Sequence, residues 1–292
     1  GAVMGDSFGL ENVLWFANNK EDAHEEPTIK RSRSHDYVSK EVINVRENVG
    51  LIEVANFSKH EFKGPDARKF LDHIMAGRLP KPGRISLSPM LSYRGKLCGD
   101  LTVACLDENE FMVFGSGAAQ EMHRRWFESH LDKFNLNYKN RSDEFHGLSI
   151  AGPNSRKVLE KIVRDDVSNE KFKFRDSRRM FVGGVPAIIN RISFTGELGY
   201  EIYVAPHYQL KLYEELMEAG KEFNIKPFGG RALMSMRLEK NWGAWTLDYR
   251  PDFTAKETGL DVFINWDKEF IGKESAQKEN SSNKLIPLIV ET

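Results

Sequence analysis

One short pattern occurs twice in this chain: an apolar, strand-like run ends in Gly-Pro and passes directly into an amphipathic helix. In the first copy, VGLIEVANFSKHEFKG reads as strand and GPDARKFLDHIMAG as a helix opened by Pro65. Proline suits a first helical turn because its absent N–H would have no partner there anyway. Phe70, Leu71, Ile74 and Met75 form one stripe of that helix, and Gly77 closes it. In the second copy LSIA runs into Gly152-Pro153, and the helix that follows carries Val158, Leu159, Ile162 and Val163. The sequels match as well. KLCGDLTVACL, the turn DENE and FMVFG precede a helix around QEMHRRWFESHL; VPAIINRIS, the turn FTGELG and YEIYV precede the helix HYQLKLYEELMEAG. A repeat of strand, helix, strand, strand, helix restricts the fold to two α+β layers built on one plan, with a site expected at their seam.

The 292 residues are about two domains' worth. Hydrophobic residues at 40% and charged residues at 29% describe an ordinary globular chain and exclude collagen-like, disulfide-scaffold and disordered classes. Forty-two basic residues nearly cancel 43 acidic ones, so neither nucleic acid nor a membrane surface is an expected partner. Cys98 and Cys105 make neither a disulfide framework nor a zinc set, and the eight histidines form no close His-x-x-x-His pair, so no metal site is expected. No stretch approaches the roughly 20 apolar residues of a membrane helix, and a reducing, cytoplasmic location is the default. The start, GAVMGDSFGL, has neither an initiator Met nor a signal peptide, which suggests an internal cut or a tag scar.

Residues 1–40 read as a lead-in and linker. GLENVLWFA is too apolar for a free tail and is expected to dock on something, and residues 17–40 read as an extended connector. Residues 41–145 then form the first lobe, carrying the KLCGDLTVACL hairpin, and residues 146–278 the second. Within the second, GGRALMSMRLEK reads as a short helix and ETGLDVFINW as strand-like. Residues 279–292, ending LIPLIVET, read as the start of a truncated third domain or as a terminal edge strand.

Candidate chemistry sits on strands and turns. Alternation in the KLCGDLTVACL strand puts Leu97, Gly99, Leu101, Val103 and Cys105 on one face and Cys98, Asp100, Thr102 and Ala104 on the other. Asp100, flanked by small residues, lies either in a recess that a ligand could fill or on the open face of a hairpin. Glu197, bracketed by Gly196 and Gly199, is either an exposed turn residue or a bidentate acceptor for an amidine-like edge. Arg231 and Arg237, six residues apart on one helix, point about 240° apart and cannot grip one anion together. Trp242, Trp245 and Phe263 could stack on a flat ring or serve as core. No Gly-x-Gly-x-x-Gly and no P-loop is present, so flavin, nicotinamide and ATP have no evident home.

The GPDA helix start, GKLCGDLTV, AGPNSRKVL, ISFTGELGYEIY, RALMSMRLEK and FIGKESA, in this order, resemble the tetrahydrofolate-binding aminomethyltransferases. That family includes the glycine-cleavage T-protein and the C-terminal halves of dimethylglycine and sarcosine dehydrogenases. The similarity runs from about Val42 to the end, and FGLENVLWFA resembles the segment that follows the flavin domain in the dehydrogenases. It implies two ferredoxin-like, antiparallel α+β lobes of the T-protein fold with the third, β-barrel lobe largely missing. It implies tetrahydrofolate as cofactor, a methylated amine as one-carbon donor, and FAD only on a linked N-terminal domain. The expected location is then cytoplasmic, or the mitochondrial matrix in a eukaryote. By motif, Asp100 is the carboxylate beside the folate nitrogens, acting as general base, Glu197 pairs with the pterin and Tyr200 lines the pocket. Arg231 lies near the glutamate tail, and Phe263 belongs to the folate-binding set. Leu87 stands where T-proteins carry a Tyr, and Gly95-Lys96 where they carry a Gly-Gly pair. The stretch FIGKESA has no Cys, unlike the iron–sulfur maintenance proteins of this fold. The alternatives are a folate-binding scaffold or sensor without catalysis, and a stand-alone T-protein-like transferase.

Overall fold

The computed structural model describes residues 1–7, 9–26 and 28–289. In chain order it begins with β1 (Ala2–Ser7), β2 (Leu10–Phe16), α1 (Ser34–Glu47), β3 (Val49–Glu53), β4 (Ser58–Lys63) and α2 (Ala67–Ile74). There follow β5 (Arg84–Leu91), β6 (Leu97–Asp107), β7 (Glu110–Gly115), α3 (Gln120–Glu128), β8 (Asn137–Asn140), β9 (His146–Ala151) and α4 (Ser155–Ile162). The remainder is β10 (Ser177–Val182), β11 (Val185–Asn190), β12 (Gly199–Val204), α5 (Gln209–Gly220), β13 (Ile225–Pro227), α6 (Gly230–Glu239), α7 (Ala255–Thr258), a 3-10 turn (Leu260–Phe263) and α8 (Lys273–Gln277).

These elements form two compact units, each discontinuous in sequence. One comprises residues 1–55, 146–174 and 179–242; the other comprises residues 56–145, 175–178 and the chain from Gly243 onward. The linear division at residue 145 is therefore replaced by an interleaved one. Its physical cause is visible in VGLIEVANFSKHEFKG, which is two strands rather than one. β3 pairs with β9 and, in parallel, with β13, whereas β4 pairs with β7 and β8.

In the first unit a six-stranded sheet runs β10-β11-β12-β9-β3-β13. Helices α4 and α5 cover one face, where Val158, Leu159, Leu212 and Leu216 meet Ile150, Tyr200, Ile202 and Val204. Helices α1 and α6 form a second cluster through Val45, Ala151, Phe228, Ala232 and Met236. The lead-in docks here, as a β1–β2 hairpin whose Trp15 is fully buried, 4.9 Å from the Tyr37 ring. Glu41 ties these pieces together, its carboxylate accepting from the backbone amides of Phe16 (2.7 Å) and Gly229 (2.9 Å). The expected connector over residues 17–40 thus gives way to helix from Ser34. Buried polar residues on α1, Glu41 and Asn44, interrupt the apolar stripe that would have marked it.

The second unit holds a five-stranded antiparallel sheet in the order β5-β6-β7-β4-β8. Helix α2 packs Phe70, Leu71 and Ile74, and α3 packs Phe127, onto Phe62, Leu101, Val103, Phe111 and Val113. ETGLDVFINW is not a strand: Thr254 caps α7 in a reciprocal capping box with Glu257, and Gly259 at φ +75° turns the chain into the 3-10 turn. The C-terminal strand expected from LIPLIVET does not form over residues 279–289, and Val290, Glu291 and Thr292 lie outside the described residues.

The repeat is a structural one. β4-α2-β5-β6-β7-α3 and β9-α4-β10-β11-β12-α5 give the same strand order, β5-β6-β7-β4 and β10-β11-β12-β9, with a third strand that the sequence had not shown in each sequel. The shared Gly-Pro has a backbone reason. Gly64 and Gly152 take φ +142° and +130°, and a Cβ on them would fall 2.8 Å from Leu136 Cα and 2.4 Å from the Val45 carbonyl, respectively. Among the described residues no helix is long and apolar enough to cross a membrane.

Candidate active site

From Gly99 onward the long strand β6 alternates as its sequence suggests: Leu101, Val103 and Cys105 enter the core under α2 and α3, and Asp100 and Thr102 therefore face away from it. Cys98, expected on the Asp100 face, packs instead against the core, because the register shifts beside it. The register sets Pro89 opposite Asp100 and Leu87 opposite Thr102, so Leu87 shares the Asp100 face. Phe263 closes the 3-10 turn that packs beside β5, anchored by a bridge between Gly77 and Ile264 and by Asn265 N–H to the Ala76 carbonyl at 2.9 Å. Asp100 keeps some accessible surface, yet burial pushes its carboxyl up to about 7, offset only by a bond to its own backbone amide. Among the described residues no cation or side-chain donor engages it. Both cysteines are free; burial pushes the Cys98 thiol up to about 11 and raises that of Cys105, which favours the protonated thiol in both.

The other sequence-derived residues belong to the first unit. Glu197 lies in the loop before β12, partly exposed, with its amide donating to Thr195 Oγ1 at 3.2 Å. Gly196 there takes φ +89°, the freedom its position in the turn suggested. Tyr200 does not line an open recess. It is fully buried on the helix-covered face of β12, its ring 5.8 Å from Phe172 in a stacked pair. Side chains along β12 alternate between the two faces of the sheet, and Tyr200 falls on the helix-covered side. Arg231 is also engaged within its own unit, donating to Ser34 Oγ and Glu25 Oε2 at 2.6 Å each. The Trp15 indole donates to the same Glu25 carboxylate. Arg237, as the helical arithmetic requires, goes elsewhere: it is buried and donates to the Trp242 carbonyl at 2.9 Å.

A further carboxylate, missed from the sequence, stands one residue past Tyr200. Glu201 is 9% exposed and lies on the β12 face turned away from α4 and α5, opposite Ser149 in register. Burial pushes it up to about 7, against a hydrogen bond from the Tyr203 hydroxyl (2.9 Å) and the charge of Lys240, which both pull it down. The Lys240 ammonium donates to the Ser193 carbonyl at 2.9 Å. A charged residue inside the otherwise apolar strand GYEIYV was the available signal. Among the described residues no cluster of three or more His, Cys, Asp or Glu has metal-binding geometry.

Each of the two α+β repeats thus carries, on the face away from its own helices, a carboxyl that burial pushes up to about 7. The GCVT N-terminal domain family matches residues 1–268. The chain is 35% identical over 99% of its length to mouse dimethylglycine dehydrogenase, a mitochondrial protein of which it covers 34%. It is 29% identical over 80% of its length to the aminomethyltransferase of Thermoanaerobacter pseudethanolicus, covering 64% of that protein. In fold it superposes on the glycine-cleavage aminomethyltransferase T of Bartonella henselae with a TM-score of 0.79, over 95% of this chain and 71% of that one, at 22% identity. The chain belongs to the GCVT family and is an aminomethyltransferase-type domain, spanning about a third of the length of the dimethylglycine dehydrogenases it matches.

Proposed function

We propose that this chain binds tetrahydrofolate and transfers a one-carbon unit to it, with Asp100 as the proton acceptor. The observation that carries the reading is Asp100 itself: a carboxyl that burial pushes up to about 7, without a side-chain partner among the described residues, on the core-flanking strand β6. When bound, tetrahydrofolate supplies the amine nitrogens that accept the carbon. Asp100 takes the proton that an attacking amine must lose and, once charged, stabilises positive charge nearby; both roles need a group that changes state near the working pH.

Each unit offers groups of the kind that molecule calls for. A pterin presents a donor-rich, amidine-like edge, and Glu201 is a buried acceptor held in place by Tyr203. Glu201 is therefore the stronger candidate for that edge, and the partly exposed Glu197 is assigned a place at the rim. Leu87 offers an apolar wall on the side of Asp100, and Phe263, in the 3-10 turn beside β5, is assigned to the same folate-binding set. Arg231 uses two of its five N–H donors on Ser34 and Glu25, which leaves donors for a carboxylate tail. Oxidation of a methylated amine donor is assigned to FAD on a linked domain, in line with the kinship to dimethylglycine dehydrogenase.

Titration with tetrahydrofolate followed by tryptophan fluorescence, together with a formaldehyde-capture assay, tests the reading. Saturable binding with folate-dependent capture is expected. Saturable binding without capture would support the non-catalytic scaffold instead, and no binding would remove both.

A further inference from the structure

Asp100 has no side-chain partner among the described residues, so its position is inherited from the backbone of β6, and that backbone is irregular two residues earlier. On the β5 side the register shifts between Met90 and Leu91: Met90 opposes Gly99 and Leu91 opposes Leu97, leaving Cys98 as the extra residue of a bulge. On the other side, the β7 ladder begins only at Thr102. The carbonyl of Cys98 would thus be short of a ladder partner, and it is met from outside the sheet by His123 Nε2 at 2.9 Å. Because a carbonyl only accepts, Nε2 carries the proton. His123 is 1% exposed, and its ring packs 6.2 Å from Phe127, 6.1 Å from Trp245 and 6.3 Å from His60, which it meets edge-on. Gly99 admits the ring: a Cβ there would lie 2.8 Å from His123 Nε2.

We propose that His123, on α3, is a positioning residue for Asp100, its Nε2–H clasping the Cys98 carbonyl at the bulge and so fixing where the carboxyl stands. The inference rests on the proposed transfer reaction, since only a reacting carboxyl needs such placement. Bulges beside active sites re-aim a side chain, and a displacement of about 1 Å in a reacting group can cost on the order of a hundredfold in rate. Burial, which brings the His123 imidazole down to about 4, keeps it a neutral donor across the physiological range.

The test compares His123→Leu, His123→Gln and Gly99→Ala in the intact chain. Glutamine places an amide N–H near the Nε2 position, leucine removes the donor, and alanine at 99 expels the ring. In His123→Leu and Gly99→Ala, kcat for folate-dependent formaldehyde capture should fall at least tenfold while KM and Kd for tetrahydrofolate stay within threefold. His123→Gln should recover to within threefold of wild type. The two cysteines make the contact directly visible: with [1-13C]cysteine, the Cys98 carbonyl signal, assigned with Cys105→Ser, should move in His123→Leu and Gly99→Ala and return in His123→Gln. An unmoved Cys98 signal, wild-type kcat in His123→Leu, or loss of affinity in proportion to rate would each overturn the proposal. Unchanged capture in Asp100→Asn would instead sink the transfer reading, while the labelled carbonyl would still decide whether the clasp exists.

Discussion

The two repeats share a plan and differ in what they do with a buried carboxylate. In the first, Asp100 sits on the middle strand of its three-strand sequel, on a strand bent by a bulge, with no side-chain partner among the described residues. In the second, Glu201 sits on the last strand of the sequel, on a regular ladder, and is held by the Tyr203 hydroxyl. Both titrate near 7 because burial disfavours their charge. An unpartnered carboxyl suits proton exchange, whereas an anchored one suits binding at fixed geometry. Glu41 supplies the contrast: it too is buried, but its carboxylate is spent on two backbone amides, the mark of a structural group.

The largest expected effect tests the shared plan. Gly64→Ala and Gly152→Ala should each destabilise the fold by about 2–3 kcal/mol, since each forces a Cβ into a left-handed backbone position against a packed neighbour. Urea melts would show it, and a large effect at one site alone would break the equivalence of the repeats.

Next comes the pH dependence of stability. A carboxyl raised to about 7 when folded binds more protons in the native state between about pH 4 and 7, so its contribution to stability is lost as pH rises through that window. Asp100→Asn does not titrate and should gain on wild type by about 2 kcal/mol between pH 4 and 8, less than the full shift because the carboxyl keeps some accessible surface. His60 and His123, brought down to about 3 and 4 chiefly by burial, work in the opposite sense: their contribution is present above pH 6.5 and is lost as pH falls. Melts of the mutant and wild type at several pH values separate the two.

Smaller effects divide the roles of the carboxylates. Glu201→Gln should weaken tetrahydrofolate binding by about tenfold, roughly 1.4 kcal/mol, with kcat at saturation little changed. Tyr203→Phe, which removes only the donor to Glu201, should cost about 1 kcal/mol or less of the same affinity. Fluorescence titration measures both, and a fall in kcat without a change in Kd for either would contradict the division.

Much of this was legible in the amino-acid pattern. The Gly-Pro helix starts marked the repeat because a backbone constraint leaves a residue signature, and alternation in KLCGDLTVACL put Asp100 on the correct face. What escaped depends on contacts distant in sequence. The parallel pairing of β13 with β3 joins residues 225–227 to residues 49–51, and no local signal announces it. Helix α1 was hidden by its own buried Glu41 and Asn44. Glu197 drew attention because glycines flank it, while Glu201, more deeply buried, was masked by the strand around it. His123 could not be found in sequence, because its partner is a backbone carbonyl.

The central claim is that Asp100 transfers a proton while the rest of the site binds. The most direct measurement is folate-dependent formaldehyde capture by Asp100→Asn beside tetrahydrofolate titration of the same protein. Capture reduced at least tenfold with Kd within threefold of wild type is the predicted result; capture at the wild-type rate would contradict it.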